Sequence, residues 1–354
     1  MFQAGPHPPF FTPLEVRMRK SRYMVLFVLL LVSVLAAQCA PAATTGTEAP
    51  AAKTYKLAAI FPGVITDADY NTLAYVGVTD LQEKTGIETA YSESVAVPDV
   101  DRVMREYIDG GFNIIWTHGG QFVNQTVELA PQFPDVIFIA EGDSQLENPP
   151  ANLWFIDRNF HVGFYGIGAL AARATKTGVV GYIGGVTLPF SYAEVHAIQQ
   201  AITDSGLDVE LKAVWAGDLN DPTKGRQVAD ALIAEGADVL MGALNLGMFG
   251  VFEAVKAAPE KVLVTVKYTD KSEYAPDNYA TALLYDFSGP LQDIYNKILA
   301  GETGGYYPLG FDTGVSLQSP ITNVDAAVVT EVEAVLADLV AGKIEVVKDI
   351  TEVK

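Results

Sequence analysis

The stretch NLWFIDRNFHVGFYGIGALAARATKTGVVGYIGG, from Asn152 to Gly185, contains the pattern that decides the fold. Two short apolar runs, NLWFI and VVGYI, flank a longer segment with the spacing of a helix. Strands that are apolar along their whole length are typical of parallel sheets, because helices cover both faces of such sheets. A strand, a helix and a second strand in this order therefore predict one unit of an α/β fold.

The same alternation extends from Tyr55 towards the C-terminus. Helices are predicted over 99–109, 162–175, 192–204, 221–235 and 290–300. Asp221-Pro222 is a typical helix start, because Asp caps a helix and proline suits its first position. The β-rich runs are YKLAAIFP, GIETAYSE, FNIIWTH, DVIFIAEG, NLWFIDRN, VVGYIGG, VELKAVWAG, DVLMGAL, KVLVTVKY and YATALLYDF. The sequence therefore predicts an α/β protein with parallel sheets.

The number of strands predicts two doubly wound lobes, because about ten strands over roughly 300 residues exceed one compact unit. We expect the division near DRNFH (Asp157–His161). Ligands of open α/β sheets bind beyond the carboxyl ends of the strands, so two facing lobes predict a cleft between them. The segments that follow the strands, such as DADYN, WTHGGQ, AEGDS, DRNF, ALNLG and VKYTD, are mostly polar or aromatic, as a ligand cleft requires.

Composition narrows the classes of partner. The 354 residues are 49% hydrophobic and 19% charged, which is enough to bury a large core. A formal net charge of -20 argues against binding to nucleic acid, because phosphate recognition needs clustered Lys and Arg. Outside the N-terminus there is no such cluster in the sequence.

The N-terminal segment has the parts of an export signal. MRKSRY (Met18–Tyr23) is basic, and an apolar run from Val25 to Ala37 follows it. Residues 1–17 fit no signal pattern, so we expect translation to start at Met18. The run is short for a membrane span, although an uncleaved membrane anchor is the alternative interpretation.

The only cysteine, Cys39, directly follows this signal. Leu35, Ala36, Ala37 and Gln38 before it resemble a bacterial lipobox, although Gln38 stands where a small residue is usual. The resemblance implies cleavage after residue 38 and a lipid on Cys39, and the alternative is a free thiol behind an ordinary cleavage site. The segment 39–54 is rich in Ala, Thr and Pro, a composition that predicts a flexible linker. We therefore expect a protein lipid-anchored at the extracytoplasmic face of the cell membrane.

Motifs for enzymes and cofactors are incomplete. Gly166, Gly168 and Ala171 match a dinucleotide fingerprint by spacing, but HVGF intervenes after the strand and no acidic strand end follows. Close packing of the helix explains these small residues better. DADYN begins like a calcium loop, but Thr72 stands where Gly is required. The four His residues are scattered, so we expect neither a cofactor nor a metal.

The order of six segments resembles the basic membrane protein family, the lipoprotein solute-binding subunits of ABC transporters that include purine nucleoside receptors. The segments are DADYNTLAYVG, FPDVIFIAEGD, GALAARATKTGVVGYIGG, DPTKG, EGADVLMGALNLGMFGVFEA and YAPDNYATALL. The resemblance covers most of Tyr55–Val347. It implies a type I periplasmic-binding fold whose chain crosses between the lobes three times. The N-terminal lobe would comprise 55–158 and about 279–300, including YATALLYDF, and the C-terminal lobe 159–278 and about 301–350.

The resemblance also implies the residues of the binding cleft. Asp67, Tyr70 and Asn71 match the family's first segment, and a carboxylate, an aromatic face and an amide suit a purine ring. Tyr70 could instead be a core aromatic and Asp67 a loop cap. Asn245 and Phe249 are expected on the opposing lobe.

Further candidates lie at other strand ends. Trp116 and Phe160 are aromatic candidates that could also be core residues, and Asp143 follows the AEGD strand. Lys267 stands near a position where the family's nucleoside receptors have an Asp for ribose, and Tyr285 replaces a Lys. Ribose recognition is therefore in question, although Asp270 or Asp286 could restore the acceptor. A purine base and a purine nucleoside both stay open as ligands.

The function implied is a monomeric binding protein whose lobes close on a purine-type ligand and deliver it to an ABC permease and its ATPase. A tethered receptor that reports the ligand to a signalling protein would have the same site. A surface nucleoside hydrolase is a third alternative, for which Asp67 with Asp143 is the pair of carboxylates to nominate.

Overall fold

The computed structural model describes residues 54–353, in which two six-stranded sheets are each covered by helices. The expected signal peptide, Cys39 and the linker up to Lys53 lie outside the described residues. Among the helices that the structure describes, none has the length and apolar character that spanning a membrane demands. The α/β prediction is confirmed, since nearly all strand pairs are parallel.

The secondary structure elements of residues 54–353 are numbered in chain order. The strands are β1 (Lys56–Ile60), β2 (Glu88–Ser92), β3 (Ile114–Thr117), β4 (Ile137–Gly142), β5 (Leu153–Asp157), β6 (Val179–Gly184), β7 (Glu210–Trp215), β8 (Val239–Ala243), β9 (Leu263–Tyr268), β10 (Tyr279–Tyr285), β11 (Gly305–Pro308) and β12 (Val315–Leu317). The helices are α1 (Tyr70–Thr85), α2 (Val100–Asp109), α3 (Val123–Leu129), α4 (Phe160–Ala174), α5 (Pro189–Ser205), α6 (Pro222–Ala234), α7 (Met248–Ala257), α8 (Ser288–Leu299) and α9 (Ala326–Val340).

The first sheet has the strand order β11-β5-β4-β3-β1-β2 and is parallel throughout. Strands β3 and β5 are buried at every residue, which explains why their sequences IIWT and LWFID are continuously apolar up to their last residue. The second sheet has the order β12-β10-β9-β8-β6-β7, with only β12 antiparallel to its neighbour among the described strands.

Helix packing accounts for the small residues of GIGALAA. Helix α4 packs along α5 beside the second sheet. A Cβ atom at Gly168 would lie 2.9 Å from the Cα of Ile198, so glycine allows the two helices to approach. The close approach is thus between two helices, which is the structural reason for this glycine. Asp221 caps α6 as predicted, because its carboxylate accepts hydrogen bonds from the backbone N–H groups of Thr223 at 2.8 Å and Lys224 at 3.3 Å.

The placement of the strand YATALLY in the first lobe is wrong. Strand β10 pairs in parallel with β9, and Leu283 lies opposite Lys267. The physical reason is burial: β9 is buried at every residue, and without β10 its apolar sequence would form an exposed edge. The assignment of 301–350 to the second lobe is also wrong in part, because β11 pairs with β5 at the edge of the first sheet.

The chain passes between the two sheets three times in the part that the structure describes. Strand β5 leads into α4 beside the second sheet, β10 leads into α8, which packs on α1 beside the first, and β11 leads into β12. The first of these passages begins at Arg158. Both sheets therefore present the carboxyl ends of their strands to the same space.

Candidate ligand-binding site

A cavity of about 640 Å³ lies between the carboxyl ends of the two sheets. From the first sheet its walls come from the segments after β1, β2, β3, β4 and β5, and from the second sheet from β9 and the segments after β6, β7 and β8. The volume falls within the range of small-molecule sites. Six of the residues expected at the cleft line this cavity: Tyr70, Asn71, Asp143, Phe160, Asn245 and Lys267.

Four aromatic rings line the cavity. Tyr70 and Phe160 begin α1 and α4, and Phe190 and Tyr268 come from α5 and β9. The rings of Tyr70 and Tyr268 lie 5.7 Å apart between centroids, and those of Phe160 and Phe190 lie 5.9 Å apart. Such rings offer flat apolar faces against which a heterocyclic ring can stack.

Asn71 lines the cavity with its amide held in one orientation. Its Nδ2 donates to Oδ2 of Asp67 at 2.7 Å, so the Oδ1 atom is left as an acceptor. That oxygen is buried and has no hydrogen-bond partner among the described residues. A ligand that donates a hydrogen bond would satisfy it.

Asp67 is a loop cap, one of the two interpretations left open by the sequence. Its carboxylate is buried and accepts hydrogen bonds from the backbone N–H groups of Asp69, Asn71 and Thr72 at 3.0, 3.2 and 3.0 Å. The placement of Asp67 at the cavity is wrong, because these bonds turn its side chain to the start of α1. Its contribution to the site is the orientation of Asn71.

Arg158 joins several of the cavity walls. Its Nε donates to Oδ1 of Asp143 at 3.0 Å, its Nη2 donates to the other oxygen of that carboxylate, and its Nη1 donates to the Tyr70 hydroxyl at 3.0 Å. The guanidinium carbon also lies 4.9 Å from the ring centre of Phe160 and 5.6 Å from that of Phe190. A planar, forked cation is suited to hold a carboxylate and aromatic faces together.

Behind this arginine lies a buried polar network centred on Glu141. Its carboxylate accepts from the Tyr70 hydroxyl at 2.9 Å and from Trp116 Nε1 at 2.8 Å, and it contacts His118 Nδ1 at 2.7 Å. The other ring nitrogen of His118 lies 3.0 Å from the backbone oxygen of Tyr70, so both nitrogens face acceptors. Burial raises the pKa of Tyr70 well above its ordinary value, which keeps the hydroxyl neutral and able to donate.

A buried ion pair lies on the side of the second sheet. Lys267 Nζ is 2.6 Å from Oε1 of Glu194, whose other oxygen accepts from the Tyr182 hydroxyl at 2.6 Å. The two charged side chains are 1% and 0% exposed. The ammonium lies 3.3 Å from the ring centre of Phe160 and 4.8 Å from that of Tyr268, so it is also held by aromatic faces. Burial lowers the pKa of Lys267, an effect that Glu194 opposes.

Three other expected residues do not line the cavity. Trp116 is fully buried and its indole donates to Glu141, so it is a core residue. Phe249 lies on α7, where its ring meets that of Tyr274 edge-on at 4.8 Å in a separate surface groove. Asp270 faces another groove, and its carboxylate accepts from the backbone N–H of Ser272 at 2.8 Å.

Several residues of the site were missed by sequence reasoning. Arg158, Phe190 and Tyr268 line the cavity, and Glu141 and Glu194 hold its polar side chains. The signal that could have found Arg158 is a cation directly after a strand, LWFID, that is apolar up to its last residue. A charged residue at the end of a buried strand is costly to bury without a partner, so its presence there indicates a functional site.

Comparison with known proteins places these features in context. Residues 54–349 match the model of the family described as Bmp, ABC transporter substrate-binding protein PnrA-like. The chain is 26% identical over 283 residues to basic membrane protein A of Borreliella burgdorferi, covering 79% of this chain and 81% of that protein. It is 26% identical over 262 residues to a purine-binding protein of Brucella abortus, covering 73% of this chain and 72% of that one.

A solved structure shares the fold. An ABC transporter solute-binding protein from Conexibacter woesei superposes with a TM-score of 0.69 at 23% sequence identity. The superposition covers 84% of this chain and all of that one. At this level of identity the likeness shows a common architecture, that of a periplasmic-binding protein with two α/β lobes.

Proposed function

Because this chain belongs to the PnrA-like family of ABC transporter substrate-binding proteins, we propose that it captures a purine nucleobase outside the cell membrane and delivers it to a permease. The cavity between the two sheets carries the proposal, since it combines aromatic faces with an oriented amide and charged groups. The purine-binding relative of Brucella abortus supports the same class of ligand.

The aromatic rings and Asn71 supply the recognition in this proposal. A purine ring stacks on one of the four aromatic side chains that line the cavity, Tyr70, Phe160, Phe190 or Tyr268. A ring N–H or an exocyclic amine of the purine donates to the Oδ1 atom of Asn71. Because the cavity borders both sheets, a bound ligand stabilises the arrangement in which they lie close together.

The carboxylates favour a free base over a nucleoside. Asp143 is the only acidic residue on the cavity wall within residues 54–353, and Arg158 already holds both of its oxygens. Asp270 and Asp286, the two alternative acceptors for ribose hydroxyls, lie in a different groove. Asp286 is engaged at the start of α8, where it accepts from the backbone N–H of Ser288 at 2.7 Å. Within residues 54–353, the cavity wall therefore offers a ribose clamp no carboxylate that is free of an arginine partner.

A thermal-shift panel with the purified protein tests the ligand. Adenine, guanine, hypoxanthine, their nucleosides, sugars and amino acids are compared at equal concentration. A base at a hundred times its Kd should add about 2.7 kcal/mol to the free energy of unfolding, which raises Tm by several degrees. A nucleoside that shifts Tm more than its base would contradict the preference for bases, and no shift by any purine would contradict the purine ligand.

The variant Asn71→Ala shows whether binding occurs in this cavity. It removes the unpartnered amide oxygen while leaving the carboxylate of Asp67 with its backbone donors. We expect the Tm shift by the base to be lost or strongly reduced. The matched control is Asn296→Ala on α8, an exposed amide whose side chain accepts from Gln292 at 3.2 Å, and it should respond to the base as the unchanged protein does.

Attachment to the membrane through Cys39 is part of the same proposal. It is supported by the lipobox-like residues before Cys39 and by the linker that follows. Mass spectrometry of the N-terminal peptide from cells that process lipoproteins should find cleavage after Gln38 and a lipid on the Cys39 thiol. An intact Val25–Ala37 segment in the mature protein would instead support the uncleaved anchor.

Delivery to a permease is tested by uptake. Cells that lack this protein should accumulate less of the labelled base identified by the panel. Unchanged uptake together with an altered transcriptional response would favour the receptor that reports to a signalling protein.

A further inference from the structure

Beside the cavity, a small polar cluster joins the two sheets. Asp69 lies in the loop before α1 on the side of the first sheet, and Thr269 and Lys271 follow β9 of the second sheet. The Thr269 hydroxyl lies 3.0 Å from both Oδ1 of Asp69 and the backbone oxygen of Ala68, so these two acceptors share its single proton. Lys271 Nζ donates to the same Asp69 oxygen and to Thr269 Oγ1 at 2.7 Å. We call Asp69, Thr269 and Lys271 the intersheet cluster.

The intersheet cluster is outside the cavity but directly connected to its wall. Tyr70 follows Asp69 in sequence, and Tyr268 precedes Thr269, and both tyrosines line the cavity. Asp69 and Lys271 are separated by 202 positions, and their contact is between side chains. The backbone hydrogen bonds within each sheet therefore do not depend on it. Its effect is therefore on the spacing of the two sheets.

Burial makes the net energy of this contact small. The side chains of Asp69 and Lys271 are 0% and 3% exposed, so both charges lose water when the sheets are joined. In addition, Oδ2 of Asp69 is buried without a partner among the described residues. The cost of removing two charges from water roughly offsets their attraction, so a modest change can shift the balance.

We propose that Asp69, Thr269 and Lys271 are positioning residues that set ligand affinity by controlling how readily the two sheets join over the cavity. This inference rests on the proposed ligand-binding function. Since the ligand binds the joined arrangement, any change that makes joining less favourable lowers the apparent affinity by the same factor.

The charge of Asp69 gives the proposal a pH dependence. The groups that face its carboxylate are Asp67 on its own loop and Thr269 and Lys271 on the opposite segment. Burial, opposed by Lys271, raises the pKa of Asp69 from 3.8 to about 7. When the sheets separate and water reaches Asp69, its pKa returns towards the ordinary value. Between these two values the joined state holds more protons, so joining becomes more favourable as the pH falls through 7.

The test is a titration of the protein with hypoxanthine, or with whichever purine gives the largest thermal shift, between pH 5.5 and 8.5. For the unchanged protein, one linked proton predicts affinity about tenfold higher at pH 6 than at pH 8. Lys271→Met leaves the ionised Asp69 without its cation, so we expect at least about tenfold weaker binding at pH 8 and a steeper dependence on pH. The double variant Asp69→Asn/Lys271→Met has no charge to bury at these two positions. It should bind the purine more tightly than Lys271→Met at pH 8, and its affinity should not change with pH.

Controls separate this effect from a loss of folding. Lys176→Met removes an exposed ion pair with Asp325, whose partners are 73% and 71% exposed, and should leave affinity and pH profile unchanged. Tm of each ligand-free variant shows that it is folded. If Lys271→Met binds the purine with the affinity and pH profile of the unchanged protein, the proposal is overturned.

Small-angle X-ray scattering of the ligand-free proteins measures the radius of gyration, which increases when the two sheets separate. A larger radius of gyration for Lys271→Met than for the double variant supports the intersheet cluster, even if no purine binds and the proposed function fails. Equal radii would contradict the role of the cluster, whatever the ligand is.

Discussion

Replacing Lys267 with methionine should lower the free energy of unfolding by about 3–5 kcal/mol, because the buried Glu194 carboxylate then has no cation. Glu194 is 0% exposed and, within residues 54–353, would retain only the hydrogen bond from the Tyr182 hydroxyl. Urea denaturation of the ligand-free protein measures the change. The ammonium also contacts the ring of Phe160, so the variant removes a stabilising contact at the cavity wall.

Two further variants make this result interpretable. Lys256→Met removes an ion pair with the same 2.6 Å separation between nitrogen and oxygen, but its partners are 43% and 57% exposed. Its cost should be about 1 kcal/mol or less. The double variant Glu194→Gln/Lys267→Met has no charge in this place and should recover most of the lost stability. Equal stability of Lys267→Met and Lys256→Met would show that burial does not make this pair critical.

Replacing Arg158 with methionine should reduce affinity for the purine base by at least about a hundredfold, since hydrogen bonds to charged groups contribute about 1.5–3 kcal/mol each. The change removes the forked contact with Asp143 and the hydrogen bond to the Tyr70 hydroxyl. Both partners line the cavity, so their positions relative to Phe160 would no longer be fixed. Isothermal titration calorimetry with the base from the thermal-shift panel measures Kd.

Arg158→Lys distinguishes the geometry of the guanidinium from its charge. A lysine keeps the positive charge near Asp143 but cannot bind the carboxylate and the tyrosine hydroxyl together. We expect stability close to that of the unchanged protein and clearly weaker binding. Arg102→Met is the control, because Arg102 is 59% exposed and pairs with Asp99 and Glu106 on the surface. Wild-type affinity in Arg158→Met would rule out a positioning role for this arginine.

The local pattern of the sequence was sufficient for most of the secondary structure. Each of the ten β-rich runs corresponds to one of β1–β10. The signal is strongest for strands such as β3, β5 and β9, which are buried at every residue and are therefore largely apolar. The missed strands β11 and β12 have the sequences GYYP and VSL, and they are short edge strands with exposed residues. Such strands have little apolar signal to distinguish them from loops.

The partner of a strand is less predictable than the strand itself. The sequence YATALLY is compatible both with a position beside β9 and with a position in the first sheet, because both positions bury an apolar strand. Only the register, with Leu283 opposite Lys267, decides between them. The resemblance to a family supplied the general order of the lobes, and it assigned this strand to the wrong sheet.

The site was predictable to the level of strand ends but not of side-chain directions. Tyr70, Phe160 and Lys267 follow or end their strands and line the cavity. Trp116 also lies near a strand end, yet its ring packs inward because successive residues of a strand point to opposite faces. The partners Glu141 and Glu194 come from distant parts of the chain, so no local pattern indicates their pairing with Tyr70 and Lys267.

The position of β11 at the edge of the first sheet links the completion of folding to the completion of synthesis. Gly305 pairs with Trp154, so β6–β10, five of the six strands of the second sheet, must be synthesised before the first sheet can be finished. Until then the apolar edge of β5 lacks its neighbour and can pair with other chains. Bringing β11 back also closes a long loop, an entropic step that slows folding. A chain that ends before residue 305 therefore keeps β5 as an unpaired edge and should aggregate more readily than the full chain.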